Sequence, residues 1–284
     1  MRSTKRAFLL ALLATLAASP CALGETVRFP TATTPPTPLQ ERLARERGQP
    51  ISRPAIVELA GELYRPPGDG PFPAVVSLHG CAGAPSRENA EAAGAAYVSL
   101  GYALLIVDSF GPRDIKQRCL TEYGAPADRI MDAYGGLLYL AGLPVIDPER
   151  IAVVGYSQGA DTALDAVRLG GTGIHFDHRF RAAVAYYPSC VDSHGAVSVP
   201  SIILIGELDD WTPARNCREM MAKRSGEGAD LRLVVYPGAH HSFNSRRLRG
   251  KPEVSYGHRN EYNEAAGPAA WNEELAVLRR AFGR

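Results

Sequence analysis

The sequence lacks an excess of charge of either sign and shows no internal repeat. Its 284 residues include 31 basic and 30 acidic side chains, a formal net charge of +1 at pH 7. Without the three basic residues among the first 24, the chain has 28 basic and 30 acidic side chains, a net charge of −2. This balance gives no general reason to expect nucleic acid or an anionic membrane as a partner.

The N-terminal region has no apolar run long enough to span a bilayer. Its longest run, residues 7–18, follows a start with three basic residues and precedes the small-x-small site at residues 22–24. A basic start, a short apolar core and such a site predict a cleavable signal peptide over residues 1–24. We therefore expect a periplasmic or secreted protein without stable membrane association.

Cysteine is scarce, and its spacing is not that of a metal site. Four cysteines follow the predicted signal peptide: Cys81, Cys119, Cys190 and Cys217. There is no C-x-x-C pair and no Cys/His ligand spacing, which argues against zinc. An even number of cysteines in an oxidising compartment predicts disulfides, and four cysteines allow three pairings.

The chain is predicted to form one α/β domain behind an N-terminal arm. Residues 25–54 are rich in Pro and Thr and then briefly charged, which predicts an arm with at most a short helix. The compact domain is predicted over residues 55–284, a length that suits one large α/β domain. Six short apolar runs in it are typical of strands buried on both faces of a parallel sheet. They are residues 74–78, 102–107, 151–154, 182–186, 201–205 and 231–236.

Helix-like segments separate these runs. They are residues 88–100, 128–140, 158–168, 213–224 and 268–282. The alternation predicts a doubly wound, mostly parallel sheet with helices on both faces, and residues 58–64 are expected to add an antiparallel edge strand. Ligands of such sheets bind beyond the carboxyl ends of the strands, so the functional residues are expected there.

The most informative motif is G-Y-S-Q-G at residues 155–159. It directly follows a predicted strand and opens a predicted helix, the context of a nucleophile elbow. Such an elbow holds its serine on a sharp, strained turn with the hydroxyl clear of the sheet, and glycines let neighbouring elements pass closely. Ser157 is therefore the candidate nucleophile.

An acid and a histidine follow later in the chain, each just after a predicted strand. Asp209 and its rival Asp210 follow the strand at 201–205, and both could instead cap the next helix. His241 and its rival His240 follow the strand at 231–236. The resulting order of serine, acid and histidine completes a candidate triad.

Acyl transfer also requires two N–H donors for the oxyanion. One candidate is the Gln158 N–H at the start of a helix. The other is the Cys81 N–H, with the Ala82 N–H as an alternative, in the turn H-G-C-A-G at residues 79–83. Cys81 itself is a weak candidate nucleophile because no elbow surrounds it.

Together these segments resemble the dienelactone hydrolase family of the α/β-hydrolase fold. The resemblance covers roughly residues 55–243. The matching motifs are residues 79–83, 108–113 (D-S-F-G-P-R), 155–159, 187–190 (Y-P-S-C), 206–209 (G-E-L-D) and 236–243 (Y-P-G-A-H-H-S-F). The family's acid ends the G-x-x-D motif and its base begins H-x-F, so the resemblance assigns these roles to Asp209 and His241.

The chain departs from the family at the nucleophile. Dienelactone hydrolases proper use cysteine, whereas Ser157 stands here. The resemblance therefore implies a serine hydrolase acting on esters or lactones of small molecules, without cofactor or metal, and leaves the substrate open. An acyltransferase or peptidase using the same triad is the alternative, and a noncatalytic binding protein on this scaffold is a third possibility.

Substrate contacts are less defined by the sequence. Arg113 follows a strand end and could bind a substrate carboxylate, although a structural role fits equally well. Tyr156 and Trp211 are the other candidates. Residues 245–267 form a long insertion that could cover the site as a lid. Neighbouring strand ends could also bring Cys190 and Cys217 together as a disulfide that braces the acid loop.

Overall fold

The computed structural model describes residues 24–51, 55–120, 127–191, 193 and 195–283. Except for Gly24, the predicted signal peptide lies outside the described residues. Within the described ranges, no helix combines the length and the apolar character needed to cross a membrane.

An eight-stranded sheet organises the domain. Its spatial order is β1-β2-β4-β3-β5-β6-β7-β8, with parallel pairing from β4 to β8 and antiparallel pairing of β1 and β2. The strands are β1 (Glu25–Pro30), β2 (Glu58–Tyr64), β3 (Phe72–Leu78), β4 (Ala103–Asp108), β5 (Ile146–Tyr156), β6 (Ala183–Tyr186), β7 (Ser201–Gly206) and β8 (Leu231–Tyr236). A separate hairpin consists of β9 (Glu253–Ser255) and β10 (His258–Asn260). The mostly parallel sheet confirms the predicted fold class.

Helices connect the parallel strands. In the described part they are α1 (Pro38–Arg47), α2 (Arg87–Ser99), α3 (Ala127–Ala141), α4 (Gln158–Ala166), α5 (Ala214–Lys223) and α6 (Ala266–Ala281). The last five match the predicted helices to within a few residues. They pack on the sheet because each presents an apolar stripe to the buried strands. α1 has no buried residue, so it agrees with the short helix expected in the arm.

The N-terminal arm differs from its prediction. Residues 25–30 form β1 at the outer edge of the sheet, beyond β2, which was expected to be the edge strand. Val27 and Phe29 point into the core, and the Phe29 ring stacks on Tyr139 at 5.2 Å between centroids. The compact domain therefore includes residues upstream of 55. The nearby Pro and Thr residues make the local composition typical of an arm. The burial of β1 comes instead from its pairing with β2, later in the chain.

The parallel strands end at one edge of the sheet. Leu78 at the end of β3 pairs with Gly155 near the end of β5, and Tyr156 pairs with Tyr186. Gly206 at the end of β7 pairs with Tyr236 at the end of β8. The loops that carry the predicted functional residues therefore meet at this carboxyl edge.

Candidate active site

Ser157 lies on a sharp turn between β5 and α4. Its backbone has φ 53° and ψ −122°, a conformation that side-chain-bearing residues rarely adopt. The turn is packed tightly: a Cβ on Gly155 would lie 2.0 Å from the Gly159 carbonyl oxygen, and one on Gly159 would lie 2.3 Å from that of Leu78. Ser157 is half-buried, and its N–H donates to the Tyr186 carbonyl at 2.9 Å. These are the features of a nucleophile elbow.

A buried carboxylate and imidazole form a second part of the site. His241 Nδ1 lies 2.7 Å from Asp209 Oδ2, and both side chains are buried. Asp209 Oδ1 accepts hydrogen bonds from the N–H groups of Trp211 (3.0 Å) and Thr212 (2.8 Å). These donors fix the carboxylate, so Nδ1 carries the proton toward Asp209 and Nε2 remains available as an acceptor.

The rival residues have other partners. Asp210 is about half exposed and lies 3.7 Å from His258 Nδ1. His240 Nδ1 lies 3.1 Å from the Leu208 carbonyl, and its Nε2 lies 4.0 Å from Glu261. The geometry therefore favours Asp209 and His241 as the acid–base pair.

Tyr187 connects the elbow to this pair. The Ser157 N–H donates to the carbonyl of Tyr186, which precedes Tyr187 in the chain. The Tyr187 ring lies 4.5 Å from the His241 ring between centroids. Among the described residues, no hydrogen bond joins Ser157 Oγ to the imidazole. Catalytic hydrogen bonds of this kind are often long until a substrate is bound. Tyr186 and Tyr187, where β6 ends and the next loop begins, therefore lie next to both Ser157 and His241.

The candidate oxyanion donors lie next to the elbow. A Cβ on Gly80 would lie 3.4 Å from the Ser157 Cβ, so the turn after β3 runs directly beside the serine. In the described part of the chain, the N–H groups of Cys81 and Gln158 donate to no other protein group. The Gln158 N–H also begins α4, where the helix dipole favours negative charge. Cys81 forms a disulfide with Cys119, which excludes it as a thiolate nucleophile.

A buried histidine and arginine support these donors. His79 Nδ1 lies 2.7 Å from the Gly80 carbonyl, and Nε2 accepts the Ser109 N–H at 3.2 Å. Burial, followed by the charge of Arg129, lowers the pKa of His79 to about 4, so this ring is neutral at pH 7. The Arg129 guanidinium donates to the His79 carbonyl (2.7 Å) and to Gln158 Oε1 (3.3 Å). Arg129 thereby links the turn after β3 to the start of α4. In the sequence it is a single arginine near the start of α3, with nothing that marks this role.

The predicted substrate contacts have different environments. Arg113 donates to the buried Asp132 carboxylate at 2.9 and 2.8 Å, which favours its structural role. The Tyr156 ring stacks on Tyr186 at 5.1 Å, and burial raises its pKa well above the usual range, which also favours a structural role. Trp211 remains at the site, with its ring 5.1 Å from the His241 ring.

The predicted lid segment contains the β9–β10 hairpin, which is hydrogen-bonded to the chain around His241. The Glu261 N–H donates to the His241 carbonyl at 3.2 Å, and Ser242 Oγ donates to Asn260 Oδ1 at 2.9 Å. The ring of His258 stacks on Trp211 at 5.0 Å between centroids. The β9–β10 hairpin therefore packs against Trp211, whose ring also lies close to the His241 ring.

Two acids near the elbow, the buried Glu274 and the partly buried Asp161, were not singled out from the sequence. Glu274 on α6 accepts hydrogen bonds from the hydroxyls of Tyr97 and Tyr186. Asp161 in α4 accepts the Ser189 N–H at 2.9 Å and the Ser189 hydroxyl at 3.0 Å. Burial raises the pKa of each acid to about 7. An acid in an amphipathic helix gives no sequence signal of burial, because its burial depends on residues far along the chain.

Cys190 and Cys217 form the expected disulfide, with Cα atoms 5.0 Å apart. Both are buried, and the bond joins the loop after β6 to α5, which follows the acid loop.

In the described ranges, no cluster of three or more His, Cys, Asp or Glu side chains could hold a metal ion. The chemistry that this arrangement can support is nucleophilic attack by Ser157 with His241 as the base.

A mostly parallel sheet with a serine elbow at the end of a central strand defines the α/β-hydrolase class. The sequence profile of the dienelactone hydrolase family matches residues 59–282. Because this match covers most of the chain, the protein belongs to the dienelactone hydrolase family, which confirms the resemblance. The family and its fold support hydrolase activity.

Several solved structures share the fold. A dienelactone hydrolase-like promiscuous phosphotriesterase from metagenomic libraries has a TM-score of 0.62 and 19% sequence identity; the match covers 80% of this chain and 94% of that chain. A dienelactone hydrolase from Anabaena variabilis gives 0.56 and 18%, covering 79% and 92%. A Pyrococcus furiosus esterase gives 0.57 and 16%, covering 92% and 93%. Among curated proteins, none matches the sequence significantly.

Proposed function

We propose that the protein is a serine hydrolase that cleaves ester or lactone bonds of small substrates through an acyl-enzyme. The observation that supports this most is the buried Asp209–His241 hydrogen bond at the sheet edge where Ser157 occupies a strained elbow. The family match supports hydrolysis in general, and the proposed triad and donors suit attack on an acyl carbon such as that of an ester or lactone.

In the proposed mechanism, Ser157 Oγ attacks the acyl carbon while His241 Nε2 takes its proton. Asp209 holds the ring in the required tautomer and stabilises the imidazolium. The N–H groups of Cys81 and Gln158 stabilise the oxyanion, and loss of one such donor typically costs about 3 kcal/mol in the transition state. His241 then protonates the leaving group, and a water activated by the same imidazole releases the acid and frees Ser157.

We further propose that the protein works in the periplasm or outside the cell. The predicted signal peptide supports this location, and so do the two disulfides, since disulfides persist in oxidising compartments.

Transfer of the acyl group to an acceptor other than water would use the same residues. Product analysis with and without added alcohol separates hydrolysis from such transfer.

A fluorophosphonate probe tests the proposed nucleophile. We expect the wild-type protein to form one adduct at Ser157 and to hydrolyse short p-nitrophenyl esters or small lactones. Ser157→Ala should lose both the adduct and turnover, a loss of about a millionfold in rate. Ser99→Ala, at the far end of α2, is the matched control and should retain both. An unlabelled wild-type protein would favour a noncatalytic binding protein, and an adduct that persists in Ser157→Ala would place the nucleophile elsewhere.

A further inference from the structure

The two disulfides occupy different environments. Cys190 and Cys217 are buried in the core. Cys81 and Cys119 are both partly exposed, and their bond lies in the turn beside Ser157. The covalent link at the candidate oxyanion site is therefore the one that solvent can reach.

Cys81 is held from one direction by the segment at residues 118–119. Its side chain is bonded to Cys119, with Cα atoms 4.8 Å apart, and its carbonyl accepts the Arg118 N–H at 2.8 Å. Within its own turn, the Gly83 N–H donates to the Gly80 carbonyl at 3.3 Å. The Gly80 carbonyl also lies 2.7 Å from His79 Nδ1, so His79 fixes the Gly80–Cys81 peptide on one side, and this segment fixes Cys81, which carries the candidate donor, on the other.

Apolar burial contributes little around this segment, over residues 116–120. Leu120 is 76% exposed, and Lys116 is also exposed. The chain is fixed a few residues earlier. There Arg113 pairs with Asp132, and the Ile115 N–H donates to the Phe110 carbonyl at 3.1 Å. Through the disulfide, these contacts help to hold the turn beside Ser157 in place.

We propose that Cys119 is a positioning residue, whose disulfide to Cys81 holds the Cys81 N–H where the oxyanion forms. The inference rests on the proposed function. Oxyanion donors act only within about 2.7–3.1 Å of the developing charge, so a shift of the turn weakens catalysis. A dithiol reductant opens this link by supplying two electrons: the S–S bond breaks, both sulfurs become thiols, and the reductant becomes a disulfide. The hydrolase is then active when oxidised and impaired when reduced.

The test compares Cys119→Ser with wild type on a short p-nitrophenyl ester. A displacement of about 1 Å can cost about a hundredfold in rate, so we expect kcat to fall about 10- to 100-fold. KM should change less than about threefold, since the defect lies in the transition state. Affinity for a trifluoromethyl ketone, which forms a tetrahedral oxyanion on serine, should fall by the same factor as kcat/KM. A merely structural role would lower the melting temperature and leave this affinity unchanged.

Two further measurements keep the result specific. Cys81→Ser and the double variant should lose the same factor as Cys119→Ser, because each removes the same single bond. Mild reduction of wild type should lower kcat as the first two thiols appear, and the double variant should not respond. Additive losses in the variants, or full kcat and ketone affinity after reduction of this bond, would overturn the proposal. A wild-type protein with neither turnover nor a Ser157 adduct would instead reject the proposed function, and this inference with it.

Discussion

At the scale of single residues, the site contains backbone conformations that residues other than glycine rarely adopt. Ser157 has φ 53° and Tyr187 has φ 44°. The positive φ of Tyr187 directs its ring toward His241, and the Tyr187 N–H donates to the Leu204 carbonyl at 2.8 Å. Its hydroxyl donates to Asn244 Oδ1 at 3.0 Å, which fixes the far end of the ring. Strain of this kind persists only where the surroundings determine it fully.

The adjacent histidines provide the sharpest test of the acid–base pair. We expect His241→Ala to lower kcat about 10⁴-fold or more, because removal of the base leaves the serine unactivated. His240→Ala should retain most activity, since the His240 ring lies next to the Leu208 carbonyl and Glu261 instead of the Asp209 carboxylate. Steady-state kinetics on one ester measures both variants, and unfolding curves check that each is folded. A larger loss in His240→Ala would reverse the assignment.

Residues of the site differ in how far the sequence predicts them. Ser157 lies in a local motif, so the sequence alone makes it the candidate nucleophile. Residue type and position after an apolar run narrow the acid to Asp209 or Asp210 and the base to His240 or His241, and the family resemblance favours Asp209 and His241. Arg129 and Cys119 could not be identified in this way. Their roles arise from contacts with residues 79–81, which are brought close only by the packing of α3 and of the loop after β4.

At the scale of elements, the parallel strands were predictable and β1 was not. The central parallel strands are nearly continuous apolar runs because both of their faces are buried. β1 has one buried face, so only two of its residues, Val27 and Phe29, are apolar and buried. Its pairing partner β2 lies about 30 residues away, beyond the Pro- and Thr-rich segment. No local pattern distinguishes such a strand from an arm.

Substitutions on the two faces of β1 test whether it belongs to the domain. Phe29→Ala removes a buried ring and should lower the free energy of unfolding by about 3 kcal/mol. Arg28→Ala, on the exposed face, removes only a solvent-exposed ion pair with Glu58 and should cost less than about 1 kcal/mol. Urea denaturation of both variants gives the comparison. Equal, small effects would mean that residues 25–30 are a detached arm.

At the scale of the whole molecule, the buried acids connect the sheet edge to the rest of the domain. Glu274 on α6 binds the hydroxyl of Tyr186, whose carbonyl accepts the Ser157 N–H. Asp161 binds Ser189 in the loop after β6. Glu274 is buried and Asp161 is partly buried, and among the described residues their hydrogen-bond donors are hydroxyl and backbone N–H groups rather than basic side chains. The folded state therefore favours their protonated forms, which couples stability to pH.

This coupling predicts that the free energy of unfolding falls as the pH rises from about 5 to 8. The pKa of Glu274 is raised from 4.5 to about 7 in the folded chain, so the unfolded chain releases this proton first. Each pKa unit corresponds to about 1.4 kcal/mol, and the window contributes roughly 2 to 3 kcal/mol. Glu274→Gln, which mimics the neutral acid, should therefore gain that amount relative to wild type between pH 5 and pH 8. Urea denaturation at both pH values measures it, with the partly exposed Glu273→Gln as the matched control. A Glu274→Gln difference that stays constant with pH would show that Glu274 is already ionised in the folded protein at pH 5.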